Sequence, residues 1–179
     1  ALARAGAEVG ANRRAALERL AAAPRPACFP AAELALEPGG PAGEAELRAA
    51  LREGRGRDMA AGRTRTGPHR DELAAVHAAK GTPARLASTG EQKAMLISLT
   101  LANARAVAEA TGAAPVLLLD EVAAHLDAGR RAALYEAIVA LGAQAFLTGT
   151  GPELFAELGD RAARLRVEET GGESRVAQA

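Results

Sequence analysis

Val116-Leu117-Leu118-Leu119-Asp120-Glu121 is a run of four aliphatic residues that ends in two carboxylates. With Pro115 before it and no polar alternation within it, the run predicts a strand buried on both faces of a parallel sheet. Asp120 would emerge at the strand's C-terminal edge, where open α/β sheets bind ligands. Upstream, residues 90–110 predict a long helix that is apolar on nearly every face, through Ala94, Met95, Leu96, Ile97, Leu99, Leu101, Ala102 and Val107. A helix of that kind is normally buried, and at 1.5 Å per residue it runs roughly 30 Å. Gly112 would end it. Downstream, Asp127 is positioned to cap a helix over 128–141, with Leu134, Ile138 and Leu141 on one side and Gly142 as its stop. Ala145-Phe146-Leu147-Thr148 predicts another buried strand. A short helix near Leu154, Phe155 and Leu158 follows, then an alternating strand at Leu165 and Val167. Strand, helix, strand, helix, strand specifies an α/β fold with a mainly parallel sheet. The tail, 171–179, reads as loose.

The earlier part of the chain is less sharply patterned. Residues 2–22 are alanine-rich and helical in character, with a weak apolar stripe (Leu2, Val9, Leu17, Leu20) that needs a partner. Pro24, Pro26 and Pro30 end that helix. Leu34 and Leu36 suggest a short strand stopped by Pro38-Gly39-Gly40, and 43–53 a second helix with Leu47 and Leu51 on one face. A Gly/Arg-rich loop is expected through Gly67-Pro68, and a hairpin over 72–86 turning at Lys80-Gly81. No internal repeat is visible.

Composition excludes several classes. The 179 residues carry 22 basic and 22 acidic side chains, and the single cysteine, Cys28, leaves no internal disulfide framework and fits a reducing compartment. Three histidines and one cysteine are too scattered for a structural zinc site. Aromatic residues make up 2%, which argues against binding single strands by stacking bases on aromatic platforms. No aliphatic stretch is long enough to span a membrane, and no secretory signal opens the chain. The neutral total hides an asymmetry. Residues 1–85 hold 14 basic and 10 acidic side chains, and 48–70 hold seven arginines (Arg48, Arg52, Arg55, Arg57, Arg63, Arg65, Arg70) against Glu53 and Asp58. Such a stripe suits a phosphate backbone, and it is also what a solvated face of an arginine-rich protein looks like.

Three local patterns carry chemistry. Asp120-Glu121 at a strand end suits Mg²⁺-nucleotide work, with Asp120 holding the metal and Glu121 polarising the attacking water; a buried strand ending in an acidic turn has the same spelling. Ser88-Thr89-Gly90-Glu91-Gln92-Lys93 opens the long helix. Ser88 and Glu91 form a capping box, yet glycine in a first helical turn is costly. Gly90 makes sense if something must approach the backbone closely, and a helix N-terminus with a serine and a glycine is a phosphate site. Ala124-His125-Leu126-Asp127 lies just beyond the acidic pair, with helix capping by Asp127 as its plain reading.

In their order and spacing these segments resemble the C-terminal half of an ABC-type ATPase head. Ala87 to Gln92 resembles the signature motif, Leu118 to Glu121 the Walker B motif, and Ala124 to Asp127 the D-loop. Thr64-Arg65-Thr66-Gly67-Pro68-His69-Arg70-Asp71-Glu72 resembles the G-P-H-R-D stretch of the RecF family, and Gln92-Lys93 and Phe146-Leu147-Thr148 are similar to the same family. The resemblance runs from about Leu34 to about Thr150. It implies the C-terminal half of an ABC/SMC-like P-loop ATPase head, residues 55–170, joined to the end of a helical arm domain, residues 1–54. It further implies ATP and Mg²⁺ as cofactors and an ATP-dependent homodimer on duplex DNA and single-strand/duplex junctions. Action with RecO and RecR to load RecA in the bacterial cytoplasm, and weak ATPase activity, are also implied. Carried onto this chain, Glu121 is the catalytic residue and Asp120 the metal ligand. Ser88, Gly90, Gln92 and Asp127 contact nucleotide, and Arg63, Arg65 and Arg70 are candidate DNA contacts.

The departures matter as much. A P-loop needs G-x-x-x-x-G-K-[ST], and neither Lys80 nor Lys93 follows a glycine. Thr148 stands where transporters carry a switch histidine. The chain does not start with methionine, and Met59 and Met95 are internal, so a piece of a longer protein is expected, inactive by itself. His69 reads as part of a structural turn, with DNA contact as the second possibility. His125 could face a dimer partner or solvent, His77 is an ordinary strand residue, and Cys28 is inert. Nothing supports a Ser-His-Asp or Cys-His nucleophile. Another SMC-like or ABC-class head, or a non-catalytic interaction module, remain the competing readings.

Overall fold

The computed structural model describes residues 1–178. They form two compact units, one ending at Pro115 and the other beginning at Val116. The division falls after the long helix, and strands on either side of residue 54 pair with one another within the first unit.

In the first unit, α1 (Leu2–Ala22) leads through a proline-rich segment to β1 (Ala32–Glu37), followed by α2 (Glu44–Glu53). The segment expected to be a loop contains α3 (Arg55–Ala61). Gly54 takes a right-handed helical conformation (φ −73°, ψ −13°), so the chain coils on through the glycine, and Gly62 at φ +63° closes the helix. A glycine costs a helix only about 1 kcal/mol, too little to forbid this turn. After a 3₁₀ turn at Pro68–Arg70 comes β2 (Glu72–His77), antiparallel to β1 with Ala32 opposite His77 and Glu37 opposite Glu72. The two-residue β3 (Thr82–Pro83) completes the hairpin around Lys80-Gly81. Leu47 of α2 is 1% exposed. It fills a notch on α1 that exists because Gly6 has no side chain: a Cβ there would lie 2.7 Å from Leu47 Cδ2.

α4 (Thr89–Thr111) closes the first unit and packs on α1. Ala94, Met95, Ile97, Ser98, Leu101, Ala102 and Ala104 are buried. Leu96 is 65% exposed, so the helix is not covered all round. His77, expected to be an ordinary strand residue, is buried with its Nδ1 unpartnered among the described residues.

The second unit is built on a β-α-β arrangement. β4 (Leu117–Leu119) and β5 (Ala145–Leu147) are parallel, with Leu117 opposite Ala145 and Leu119 opposite Leu147. Between them run a 3₁₀ turn at Ala123–His125 and α5 (Ala128–Leu141), capped by Asp127 and stopped by Gly142 at φ +65°. Leu117 and Leu119 are buried, but Leu118 is 76% exposed and its neighbour Phe146 55%. The burial on both faces expected of this strand is thus corrected: the pair buries one face and leaves the other open. α5 is tied to the 3₁₀ segment Pro152–Arg161, which is broken at Gly159. The fully buried Tyr135 donates its hydroxyl to the Leu154 carbonyl at 2.7 Å. Arg131 bonds Glu157 at 2.8 Å and the Leu126 carbonyl at 2.9 Å. That contact lowers the Glu157 carboxyl below its ordinary value and raises the Arg131 guanidinium.

The last strand departs from the parallel sheet expected of it. β6 (Leu165–Thr170) pairs antiparallel with β7 (Glu173–Gln178), so residues 173–178 are a strand where a loose tail was anticipated. Gly171 and Gly172 take φ of +64° and +82°, the pair of left-handed residues that a tight hairpin turn requires. The architecture is mixed α/β with one parallel pair and two antiparallel sheets among the described residues. None of the described helices is long and apolar enough to cross a membrane.

Candidate functional site

Parallel strands end side by side. With Leu119 opposite Leu147, the next residues along each strand, Asp120 and Thr148, are neighbours at the carboxyl ends of β4 and β5. Both are exposed, as is Glu121. Thr148 Oγ1 donates to Asp120 Oδ1 at 2.5 Å and accepts the Glu121 N–H at 3.0 Å. The Thr148 N–H donates to the Leu119 carbonyl at 3.2 Å. Glu121 has φ +52°, a left-handed backbone otherwise confined to glycines in the described chain. Neither Asp120 nor Glu121 belongs to an ion pair among the described residues. The strand-end reading of Asp120 therefore matches the geometry. Thr148 was placed by sequence at the switch position with its role open; the parallel register shows its hydroxyl joining the two acidic residues.

A closed metal cage is absent from the described residues, where no group of three or more His, Cys, Asp or Glu side chains could hold an ion. Two adjacent, unpaired carboxylates are instead the donor set that Mg²⁺ accepts when phosphate oxygens and water fill its remaining positions. The residues present fit that ion.

Asp127 lies in the same unit at the start of α5. Its Oδ1 accepts the Arg130 N–H at 2.8 Å, so its carboxylate is engaged in capping. Ser88, Gly90 and Gln92 lie in the first unit at the start of α4. The capping box is complete. Ser88 Oγ donates to Glu91 Oε2 at 2.9 Å, the Ser88 N–H donates to the same oxygen at 3.0 Å, and the Glu91 N–H returns to Ser88 Oγ at 3.4 Å. Lys80 pairs with the other oxygen, Glu91 Oε1. Above all the Lys80 contact, then the Ser88 bonds, lower the Glu91 carboxyl to about 2. Gln92 Nε2 donates to the Ala87 carbonyl at 3.1 Å. Gly90 is exposed, and a Cβ built on it meets nothing within 4 Å. The described chain itself therefore does not need glycine there.

Arg63, Arg65 and Arg70 are exposed and in none of the ion pairs among the described residues. The G-P-H-R-D block that contains Arg70 is a structural knot. The Gly67 N–H donates to the Gly39 carbonyl at 3.1 Å, and a Cβ on Gly39 would lie 2.3 Å from Arg70 Cβ. His69 Nε2 is 2.8 Å from the Thr64 carbonyl. Asp71 Oδ1 accepts the Gly39 N–H at 2.8 Å, while Oδ2 accepts Arg13 of α1 at 2.9 Å. Arg13 also donates to the Pro68 carbonyl. Sequence inspection missed Arg13, and saw Asp71 only as part of the G-P-H-R-D block, because their partners lie far away along the chain.

No protein-family model matches the chain. Curated relatives do. It is 53% identical over 152 residues to the DNA replication and repair protein RecF of Allorhizobium ampelinum, covering 80% of this chain and 41% of the relative. It is 61% identical over 112 residues to that of Brucella abortus, covering 63% of this chain and 29% of the relative. The chain belongs to the RecF family. A solved structure of the recombination mediator protein RecF with ATP superposes with a TM-score of 0.72 at 24% identity, covering 98% of this chain and 48% of that one. A second RecF structure gives 0.71 at the same identity. At that identity the two structures speak for the RecF fold alone. The chain spans about two fifths of the length of the RecF of A. ampelinum, and its relatives support its reading as the C-terminal part of a RecF.

Proposed function

We propose that this chain is the signature- and Walker B-bearing part of a RecF-type DNA replication and repair protein, in which Mg²⁺-ATP joins two heads into a dimer on DNA. The observation that carries this reading is the unpaired Asp120-Glu121 pair at the carboxyl ends of two parallel strands, in a chain with RecF relatives. Its RecF relatives are named for DNA replication and repair, and one solved relative holds ATP. In this reading Asp120 holds Mg²⁺ and Glu121 orients and polarises the attacking water. Bound Mg²⁺ neutralises charge building on the phosphates. Ser88, Gly90 and Gln92 meet the nucleotide of a partner subunit, where the open space at Gly90 lets a phosphate reach the helix N-terminus. To do so Ser88 exchanges its bond to Glu91, which keeps its Lys80 partner. Asp127, which caps α5, is the further nucleotide contact. Arg63, Arg65 and Arg70 contact DNA phosphates, and RecO and RecR are the expected protein partners.

The test is the oligomeric state of the full-length protein. Mg²⁺-ATP is expected to convert monomer to dimer. Glu121→Gln is expected to lengthen the dimer's lifetime roughly a hundredfold, as expected for loss of a general base. A dimer population that ignores ATP, or a Glu121→Gln dimer as short-lived as the wild type, overturns the assignment.

A further inference from the structure

The hydroxyl of Thr148 both gives and takes a hydrogen bond within the acidic pair. It donates to Asp120 Oδ1 at 2.5 Å and accepts the Glu121 amide at 3.0 Å, while the backbone of Thr148 is itself anchored to Leu119 at 3.2 Å. Two separate features of the pair need explaining. An exposed carboxylate normally samples several rotamers, and a glutamate normally avoids a φ of +52°. One side chain answers both. Its bond to Oδ1 selects one orientation of the Asp120 carboxylate and leaves Oδ2 free for a cation. Its bond to the Glu121 amide holds the left-handed turn that directs the Glu121 side chain.

We infer that Thr148 is a positioning residue for the acidic pair, orienting Asp120 toward a divalent cation and holding the turn at Glu121. The inference rests on the roles proposed above for Asp120 and Glu121. It specifies the chemistry required at position 148: one short side chain whose single oxygen both donates and accepts. Serine meets that requirement. Valine keeps the shape of threonine and loses both bonds.

The experiment compares Thr148→Val, Thr148→Ser and Glu121→Gln in the full-length protein. Amide hydrogen exchange is followed at Glu121, Mn²⁺ binding in the presence of ATP by electron paramagnetic resonance, and turnover by phosphate release. Thr148→Val is expected to speed exchange of the Glu121 amide at least tenfold. It should weaken Mn²⁺ binding roughly tenfold to a hundredfold, the usual effect of removing a group that orients a metal ligand, and lower kcat. Thr148→Ser should restore all of these to within about twofold, as an oxygen of like capacity predicts. If Thr148→Val folds and leaves Mn²⁺ affinity unchanged, the positioning role is overturned, even if exchange quickens. If Thr148→Val does not fold, the wild type decides: an unprotected Glu121 amide overturns the inference, and a protected one that stays protected in Thr148→Ser upholds it. Failure of Glu121→Gln to slow turnover would instead strike the proposed function, and leaves the exchange result at Glu121 to stand or fall by itself.

Discussion

Asp71 shows what one side chain can hold together. Its carboxylate is 6% exposed and joins the Gly39 amide in one loop to Arg13 on α1. Removing it leaves the Gly39 N–H without its partner and loosens the guanidinium. Asp71→Ala is therefore expected to lower stability by about 1–3 kcal/mol, read from urea unfolding. Arg13→Ala should cost less, because that side chain is 43% exposed and solvent screens its charge. Glu121 gives the opposite sign. Its left-handed backbone carries a penalty of about 1–2 kcal/mol that glycine would not pay, partly offset by glycine's greater freedom when unfolded. Glu121→Gly should raise the melting temperature slightly, a gain of up to about 1 kcal/mol, while abolishing turnover. A lowered melting temperature would show that the Glu121 side chain contributes contacts that outweigh the turn.

At the scale of elements, the helix termini follow local chemistry. The Ser88–Glu91 box and the Asp127 cap both form where the sequence predicts them. The cap on α4 is also sensitive to acid. Glu91 titrates near 2 in the folded chain against an ordinary 4.5. A depressed folded value means that its contribution is complete above the ordinary value and fades as pH falls through the folded one. Protection of the amides in the first turn of α4, taken relative to the intrinsic exchange rate at each pH, should therefore fall between about pH 4.5 and pH 2, and Lys80→Ala should narrow that window from its acid end. In the second unit, Tyr135→Phe removes the hydroxyl bond to Leu154. The expected loss is about 1 kcal/mol, seen as a lower melting temperature. An unchanged value would mean that water takes over the Leu154 carbonyl. The elements misjudged from sequence are those whose signals were punctuated by glycine. α3 continues through Gly54, and Gly171-Gly172 makes a hairpin of what reads as a tail.

At the scale of the whole molecule, the neutral charge total conceals the arginines of the first unit. If Arg63, Arg65 and Arg70 neutralise DNA phosphates in the full-length protein, the affinity for duplex should fall steeply with salt. Replacing all three by glutamine should then reduce the slope of log affinity against log salt by roughly 2–3, at about 0.9 per phosphate contact. Specificity among sequences should stay unchanged. An unaltered slope would assign these arginines to a solvated face.

What the amino-acid sequence determined by itself was everything governed by neighbours a few residues apart. Caps, stops, the aliphatic run into Asp120-Glu121 and the glycine at the start of α4 all depend on local sterics and local hydrogen bonds. Tertiary structure alone decided the rest. The pairing of β4 with β5 carried Thr148 to the acidic pair, and Asp71 found Gly39 and Arg13 across long stretches of chain. Strand register and loop packing are chosen by the free energy of the assembled core, which no short window of residues contains.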